Sequence, residues 1–303
     1  MHVQRALLSN GRWHFQHGPI DLVIGAEGSA RAVENAHDAA WARFQTVLPE
    51  LVTELRALRL PVRGGRCPLQ GVIARRMWHA CRPHHAQFIT PMAAVAGAVA
   101  QEIIASYERD GVTRAWVNNG GDIALHLASG ASVKIGLFAD LARFDPFDAG
   151  AAAGSSLGLD ADFAVTAALP VRGIATSGWR GRSFSLGIAD SVTVLARTAA
   201  IADAAATMIA NAVDLDDPRI QRRPASALKD DSDLGDQPVT VGVPPLAAGQ
   251  VQAALRAGAS HAHELQRAGL IHCALLTCQH RSVSVEAWES HAAVRGELGS
   301  VFA

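Results

Sequence analysis

Hydrophobic side chains recur at helical spacing in five stretches of the chain. The stretches are 31–59, 72–80, 91–109, 198–213 and 247–268. Apolar residues three or four positions apart lie on one face of a helix, so this pattern predicts helical structure in each stretch. Pro49 interrupts the first stretch, and we expect it to separate two helices or to begin the second one.

Shorter apolar runs, bounded by turn-forming residues, predict strands. They are 20–24, 113–117, 123–127, 132–138, 163–169, 173–176, 191–196, 270–278 and 281–286. We expect turns at 25–28 and 118–121, and a flexible loop or irregular edge over 140–162. Strands and helices alternate without a regular βαβ period. The predicted fold class is therefore α+β, a layered sandwich in which helices pack on a mixed or antiparallel sheet, rather than a doubly wound sheet.

Composition limits the kinds of protein this chain can be. Its 303 residues are 49% hydrophobic and 18% charged, which is enough apolar material for one sizeable core. We expect a single domain over 1–303, with a flexible, acidic and proline-containing connection at about 214–238. The formal net charge of −1 argues against a broad nucleic-acid surface, which needs clustered positive charge.

The same composition bears on location and assembly. The longest uncharged apolar stretch, 88–100, is shorter than the roughly 20 residues that cross a bilayer. No apolar secretion signal occurs in 1–10, so we expect a cytoplasmic protein with no membrane partner. The alanine-rich helices could also pack against a second copy of the chain, which makes a homodimer an expectation.

The helix predicted at 198–213 carries the strongest candidate site. Asp203, Thr207 and Asn211 are spaced four residues apart and form one polar stripe on an apolar helix. A carboxylate and a hydroxyl one turn apart are hard oxygen ligands of the kind that Mg²⁺ prefers. Two explanations stay open from this helix alone. The stripe could hold a metal ion, or Asp203 could favour the helix dipole while Thr207 bonds back to a carbonyl.

A glycine pair lies between two predicted strands. Gly120 and Gly121 can turn the backbone so that amides face an anion or a flavin ring, and Asp122 can accept a hydrogen bond from a ligand. The alternative is a plain hairpin, because Asn-Gly is a strong turn signal. Gly97, inside the helix predicted at 91–109, costs about 1 kcal/mol relative to alanine, which suggests a close packing or ligand contact there.

A third motif follows the strand predicted at 173–176. Thr176, Ser177 and Gly178 precede Arg180 and Arg182, an arrangement that suits a phosphate or carboxylate. A polar turn with exposed arginines is the alternative. Ser177 is a candidate catalytic residue, although neither a Gly-x-Ser-x-Gly elbow nor a local histidine accompanies it.

In this order, the motifs resemble the ApbE-like superfamily, whose best-known members are the FAD:protein FMN transferases. More specifically, the chain is similar to the shorter cytoplasmic branch of that superfamily. The matching stretches are 91–97, 117–123, 175–178 and 190–211. The resemblance implies an ApbE-like, T-fold-related architecture and, by analogy, Mg²⁺ bound by Asp203 and Thr207 with a backbone carbonyl near Val95. It also implies that FAD or FMN lies beside two turns, formed by Gly120, Gly121 and Asp122 and by Thr176, Ser177 and Gly178. We count Met92, in the first matching stretch, among the cofactor-binding candidates.

Two departures from the transferase pattern affect the predicted function. The transferases carry a His-x-x-Asp-Pro-x-Thr-Gly segment, whereas this chain has only Phe184-Ser-Leu-Gly-Ile-Ala-Asp190 at that place, without histidine. Ala96 stands where many transferases have a lysine. Three hypotheses remain: Mg²⁺-dependent FMN transfer from FAD to an acceptor protein, non-catalytic binding of a flavin or similar small ligand, and an enzyme acting on another small carboxylated or ring substrate.

Overall fold

The computed structural model describes residues 2–137, 161–181, 183–286 and 300–301. Its strands are β1 (Gln4–Leu7), β2 (Trp13–His17), β3 (Ile20–Gly28), β4 (Val112–Asn119), β5 (Asp122–Leu127), β6 (Ser132–Leu137), β7 (Ala161–Thr166), β8 (Gly173–Ser177), β9 (Ser191–Ala196), β10 (Gln221–Pro224), β11 (Pro238–Gly242), β12 (Cys273–Cys278), β13 (Arg281–Val285) and β14 (Ser300–Val301). Its α-helices are α1 (Ala30–Thr53), α2 (Leu55–Leu58), α3 (Val72–Cys81), α4 (Val95–Ile104), α5 (Ala199–Ala212) and α6 (Ala248–Arg267).

Within the described residues, nine strands form one antiparallel sheet in the order β1-β2-β3-β4-β5-β8-β9-β12-β13. Each side chain of β9 is buried, as expected for a strand covered on both faces. A second sheet contains β14, β6 and β7, with β14 parallel to β6, and β10 pairs with β11. The predicted α+β class with mixed or antiparallel strands is confirmed.

The helices cover the large sheet along its length. α1 packs on β2 and β3, α4 on β4 and β5, α5 on β8 and β9, and α6 on β12 and β13. The small sheet contributes Val133, Ile135 and Val165 to a separate apolar cluster with Trp116 and Ile123 of the large sheet. The large sheet therefore lies between a layer of helices and the small sheet, which is the layered arrangement expected from the sequence.

Several predicted boundaries are wrong for identifiable reasons. α1 continues through Pro49, whose ring is exposed on the outer side, where a missing helical hydrogen bond can be replaced by water. No turn interrupts 25–28, because β3 extends to Gly28. Gly25 is needed for packing instead: a Cβ there would lie 2.1 Å from the Trp116 ring. The strands β1 and β2 were not predicted at all.

Other segments differ in detail from the pattern. The helix expected at 91–109 is divided into a 3-10 turn at Pro91–Ala94, the helix α4, and a second 3-10 turn at Ala105–Tyr107. The connection expected at 214–238 contains β10 and contacts distant parts of the chain, including Arg59. Most of the loop expected over 140–162 lies outside the described residues. Of the helices in the described part of the chain, none has both the length and the hydropathy that a bilayer crossing requires.

Candidate functional site

The first turn of α5 lies between two glycines. A Cβ added to Gly97 of α4 would lie 2.3 Å from the carbonyl oxygen of Ala199, and one added to Gly173 of β8 would lie 2.1 Å from the nitrogen of Ala199. Both distances are far inside van der Waals contact, so only glycine permits these approaches. The Thr198 hydroxyl caps the same turn, accepting a backbone hydrogen bond at 3.4 Å. These contacts fix the position of Asp203, one turn further along α5.

Asp203 lies against α4 and near a second carboxylate. Its Oδ2 accepts a hydrogen bond from the Gly97 N–H at 2.9 Å. Burial, and then the Asp122 carboxylate, raise the pKa of Asp203 well above its ordinary value, while hydrogen bonds from the backbone N–H groups of Gly97 and Ala96 oppose the rise. Asp122, at the start of β5, is 8% exposed. Its Oδ1 accepts a hydrogen bond from the Thr176 N–H at 3.1 Å. α4, α5, β5 and β8 therefore meet around two neighbouring carboxylates.

The polar stripe predicted on α5 divides between two environments. Thr207 is partly buried, and its hydroxyl makes no hydrogen bond with the part of the chain that the structure describes. Asn211 is engaged, because its Oδ1 accepts hydrogen bonds from the Leu186 N–H at 2.9 Å and from the Ser185 hydroxyl at 3.2 Å. Asn211 therefore fixes the segment that precedes β9, whereas Thr207 keeps its hydroxyl available for a ligand.

The β4–β5 turn has the geometry that its two glycines predict. Gly120 and Gly121 have φ angles of +67° and +111°, in the region that favours glycine. The Gly121 N–H donates to Asn118 Oδ1 at 2.8 Å, so this amide is used within the turn. The Asn119 side-chain amide donates to the Ala96 carbonyl at 3.1 Å and joins the turn to α4. A Cβ on Gly121 would meet nothing within 4 Å, which leaves open space beside Asp122.

The end of β8 is fixed by its neighbour in the sheet. The Thr176 hydroxyl forms a hydrogen bond with the Thr193 hydroxyl of β9 at 2.9 Å. Ser177 is the last residue of β8 and is partly buried. A Cβ on Gly178 would lie 2.3 Å from the Asp190 carbonyl oxygen, so glycine allows the chain to pass close to the start of β9.

The arginine predicted beside this strand end has protein partners. Arg180 Nε lies 3.4 Å from Asp190 Oδ1, and its guanidinium lies 5.1 Å from the centre of the Trp179 ring. Asp190 also accepts hydrogen bonds from Trp179 Nε1 at 3.2 Å and from the Gln279 N–H at 2.5 Å. Arg182 lies outside the described residues.

Some residues near the site were not predicted. Asp190 had a signal, since it begins one of the matching stretches, but its role in ordering Trp179 depends on tertiary contacts. No sequence signal indicated that Cys81 of α3 lies near the site. Its proximity to Asp203 and Asp233 follows from the fold, and burial, and then these two carboxylates, raise the pKa of its thiol. Met92, in contrast, was predicted as a cofactor-binding candidate, and it lies partly buried against the main core, in the 3-10 turn that contacts α5.

The donor set fits a hard cation only in part. Among the described residues there is no group of three or more His, Cys, Asp and Glu side chains that could hold a metal ion. The Asp203 and Asp122 carboxylates are close enough to raise the pKa of one of them, and the Thr207 hydroxyl lies one turn along the same helix. The Asp203 carboxylate and the Thr207 hydroxyl are oxygen ligands on one helix face, and the Asp122 carboxylate lies near Asp203. Such a donor set suits Mg²⁺ only when phosphate or water supplies further ligands.

One family model matches nearly all of this chain, and curated relatives match parts of it. A family model described as AbpE bacteria matches residues 5–290. A UPF0280 protein of Methanopyrus kandleri is 33% identical over 214 residues, covering 70% of this chain and 75% of that protein. A UPF0280 protein of Methanothrix thermoacetophila is 38% identical over 145 residues, covering 48% of this chain and 53% of that protein. The chain spans about half the length of this and two other curated relatives.

A solved structure was also similar. The ApbE protein of Thermotoga maritima is 12% identical, with a TM-score of 0.41 over 95% of this chain and 97% of that one. The family is decided by the sequence matches, because the family model covers far more than half of the chain and includes every residue of the candidate site. The chain belongs to the ApbE-like superfamily, within the family described as AbpE bacteria.

Proposed function

We propose that the chain binds a flavin nucleotide through Mg²⁺ at Asp203 and Thr207. The observation that carries the proposal is the meeting of α4, α5, β5 and β8 at Asp203, whose Oδ2 accepts the Gly97 N–H at 2.9 Å and whose carboxylate interacts with that of Asp122. Two neighbouring carboxylates repel each other when both are ionised, and a divalent cation between them and a diphosphate would remove that repulsion. The Thr207 hydroxyl, without a hydrogen bond to the described residues, would serve as a further oxygen ligand.

Each neighbouring element has a role in this proposal. The Gly97 N–H orients the Asp203 carboxylate, which would hold the cation, through the 2.9 Å hydrogen bond to Oδ2. The open space beside Gly121 and the ordered end of β8 would hold the rest of the nucleotide, with Asp122, Thr176, Ser177 and Gly178 along its edge. Arg180, held by Asp190, would contact a phosphate as a positioned charge. When bound, Mg²⁺ would neutralise diphosphate charge.

The reaction proposed for such a site breaks the diphosphate of FAD and releases AMP, with the FMN phosphate passing to an acceptor protein or, when no acceptor protein is present, to water. A second candidate, non-catalytic flavin binding, is supported by the segment Phe184-Ser-Leu-Gly-Ile-Ala-Asp190, which lacks the transferase histidine. That segment is held to the C-terminal end of α5, where the Ile188 N–H donates to the Val213 carbonyl at 2.8 Å. A cytoplasmic location and a homodimer remain predictions.

One experiment separates these candidates. The purified chain is incubated with FAD, with Mg²⁺ or with EDTA, and both retained flavin absorbance and released AMP are measured. Transfer chemistry predicts AMP release that needs Mg²⁺ and is lost in Asp203→Asn but kept in Asp230→Asn, a control at an exposed aspartate. Retained flavin without AMP supports the binding role. Absence of both would contradict the flavin proposal and favour a different small carboxylated or ring substrate.

A further inference from the structure

A cavity lies on the outer side of α3, lined by residues that take no part in the candidate site. Its volume is about 440 Å³, and its walls are the segment 65–70 and one face of α3. Arg66 comes from the segment, Arg75 and His79 come from the helix, and Arg82 directly follows the helix at the start of a 3-10 turn. Positions 75, 79 and 82 are spaced four and three residues apart, so these side chains project from one face. The fold thereby brings three guanidinium groups to one concavity.

These three arginines have no acidic partner within the described part of the chain. Arg66, Arg75 and Arg82 are exposed, and none of them forms an ion pair with a residue in the described ranges. Arg76, one position along α3, differs: its Nη1 lies 2.7 Å from Glu102 Oε2, on the side of the helix that faces the core. The absence of acidic partners is therefore a property of the cavity face and not of α3 as a whole.

An acidic side chain beside this wall, Glu54, is already occupied by backbone donors. Glu54 accepts hydrogen bonds from the Gln70 N–H at 2.8 Å and from the Gly71 N–H at 2.7 Å. Arg82 contacts an aromatic ring instead of a carboxylate, since its guanidinium lies 5.7 Å from the centre of the Trp78 ring. Trp78 is 4% exposed, so the ring supports the guanidinium from beneath and offers little free face to a ligand.

We propose that this cavity binds the diphosphate or triphosphate group of a small molecule, at a site separate from Asp203. Three neighbouring guanidinium groups repel one another, and a multiply charged anion removes that repulsion. The planar guanidinium donates paired hydrogen bonds that match phosphate oxygens. The volume is within the roughly 300–1,000 Å³ range of small-molecule sites. The chain's net charge of −1 and the small size of the cavity favour a small ligand over a nucleic acid.

The test uses inorganic pyrophosphate as the ligand and isothermal titration calorimetry on the full chain. The buffer contains EDTA, so that a diphosphate held through a metal at Asp203 does not contribute to the signal. The variant Arg75→Gln/Arg82→Gln removes two charges from the cavity. The matched control, Arg31→Gln/Arg256→Gln, removes two charges from exposed arginines on α1 and α6 that also lack ion pairs with described residues. Thermal melting verifies that both variants are folded, and Arg66→Gln replaces the first variant if it is not.

The expected result is pyrophosphate binding by the wild type and by the control, weakened at least tenfold in the cavity variant. Equal affinity in all three proteins, equal weakening in both variants, or no binding by the wild type would overturn the proposal. Vesicles containing phosphatidylserine form a parallel arm: cosedimentation that depends on the cavity arginines, without pyrophosphate binding, would also overturn it.

Alkylation of Cys67 provides a second measurement, which tests whether pyrophosphate binds in this cavity. Its partly buried thiol belongs to the cavity wall. If pyrophosphate occupies the cavity, the rate at which iodoacetamide alkylates Cys67 falls as pyrophosphate is added, and it does not fall in Arg75→Gln/Arg82→Gln. Alkylation that is unaffected by saturating pyrophosphate would place the anion elsewhere and contradict the proposal. Because this site shares no residue with the Asp203 site, its failure would leave the flavin proposal untouched.

Discussion

The replacement Gly97→Ala tests the close contact between α4 and α5 that positions Asp203. The added Cβ would lie 2.3 Å from the Ala199 oxygen, 2.6 Å from the Ala199 carbonyl carbon and 2.9 Å from Asp203 Cβ. The first two are backbone atoms, which cannot rotate away, so the two helices must separate. Forcing an extra carbon into a packed contact costs about 1–3 kcal/mol, and alanine returns up to about 1 kcal/mol of helix propensity. We expect a net loss of about 1–2 kcal/mol in the free energy of unfolding.

A matched glycine in the same kind of element provides the control. Gly249 lies in α6, and a Cβ there would meet nothing within 4 Å. Gly249→Ala should therefore raise the free energy of unfolding by about 0.5 kcal/mol, through helix propensity and a less flexible unfolded chain. Urea unfolding followed by circular dichroism measures both variants against the wild type. If Gly97→Ala were as stable as Gly249→Ala, the reasoning about the α4–α5 contact would be refuted.

Three further results follow from charge and burial. Burial and the Asp122 carboxylate raise the pKa of Asp203, so its contribution to stability is present in acid and is lost as the pH rises through the raised pKa, at no more than about 1.4 kcal/mol per pH unit. Without metal, Asp203→Asn should therefore gain stability relative to the wild type as the pH rises above the ordinary range of an aspartate, as urea unfolding would measure. Glu102 accepts hydrogen bonds from Arg43 and Arg76, each at 2.7 Å. Glu102→Gln should lower the free energy of unfolding by about 2 kcal/mol at neutral pH. Burial acts to raise the pKa of Glu102, but its hydrogen bonds and charge interactions with the two arginines lower it overall. The difference in the free energy of unfolding between the wild type and Glu102→Gln should therefore shrink in acid, as the wild-type carboxyl protonates. A difference that stays constant across pH would contradict this role of the two arginines. Finally, iodoacetamide at mildly alkaline pH should alkylate Cys67 in the native protein. It should alkylate Cys81, Cys273 and Cys278 only after denaturation, because burial raises the pKa of those three thiols. Equal labelling of all four cysteines in the native protein, measured by peptide mass spectrometry, would contradict the burial of these three thiols.

Much of the fold was accessible from the sequence because its elements have regular apolar spacing. α5, α6, β9 and the β4–β5 hairpin agree with their predicted positions within a few residues. β1 had no comparable signal, because all four of its side chains are exposed and its place depends on pairing with β2. The helix break predicted at Pro49 is wrong because the cost of proline in a helix depends on whether the proline lies on the solvent-facing side, as Pro49 does.

The candidate site was accessible only as separate motifs. Spacing on α5 correctly placed Asp203 and Thr207 on one helix face, but it also included Asn211, which is used to hold the segment before β9. The proximity of Asp203 to Asp122 joins residues far apart in the chain, and it depends on Gly97 and Gly173 admitting α5. No local pattern contains that information. The cavity beside α3 is similar, since Arg66 and Arg82 meet there only because a loop folds back over the helix.

The most direct test of the flavin proposal is the affinity for FAD with and without Mg²⁺, measured by calorimetry on the wild type, Asp203→Asn and Asp230→Asn. We expect the wild type and Asp230→Asn to bind FAD more tightly with Mg²⁺, by at least tenfold, and Asp203→Asn to show no such gain. The same dependence on Mg²⁺ in Asp203→Asn, or no FAD binding by the wild type under either condition, would contradict the flavin proposal.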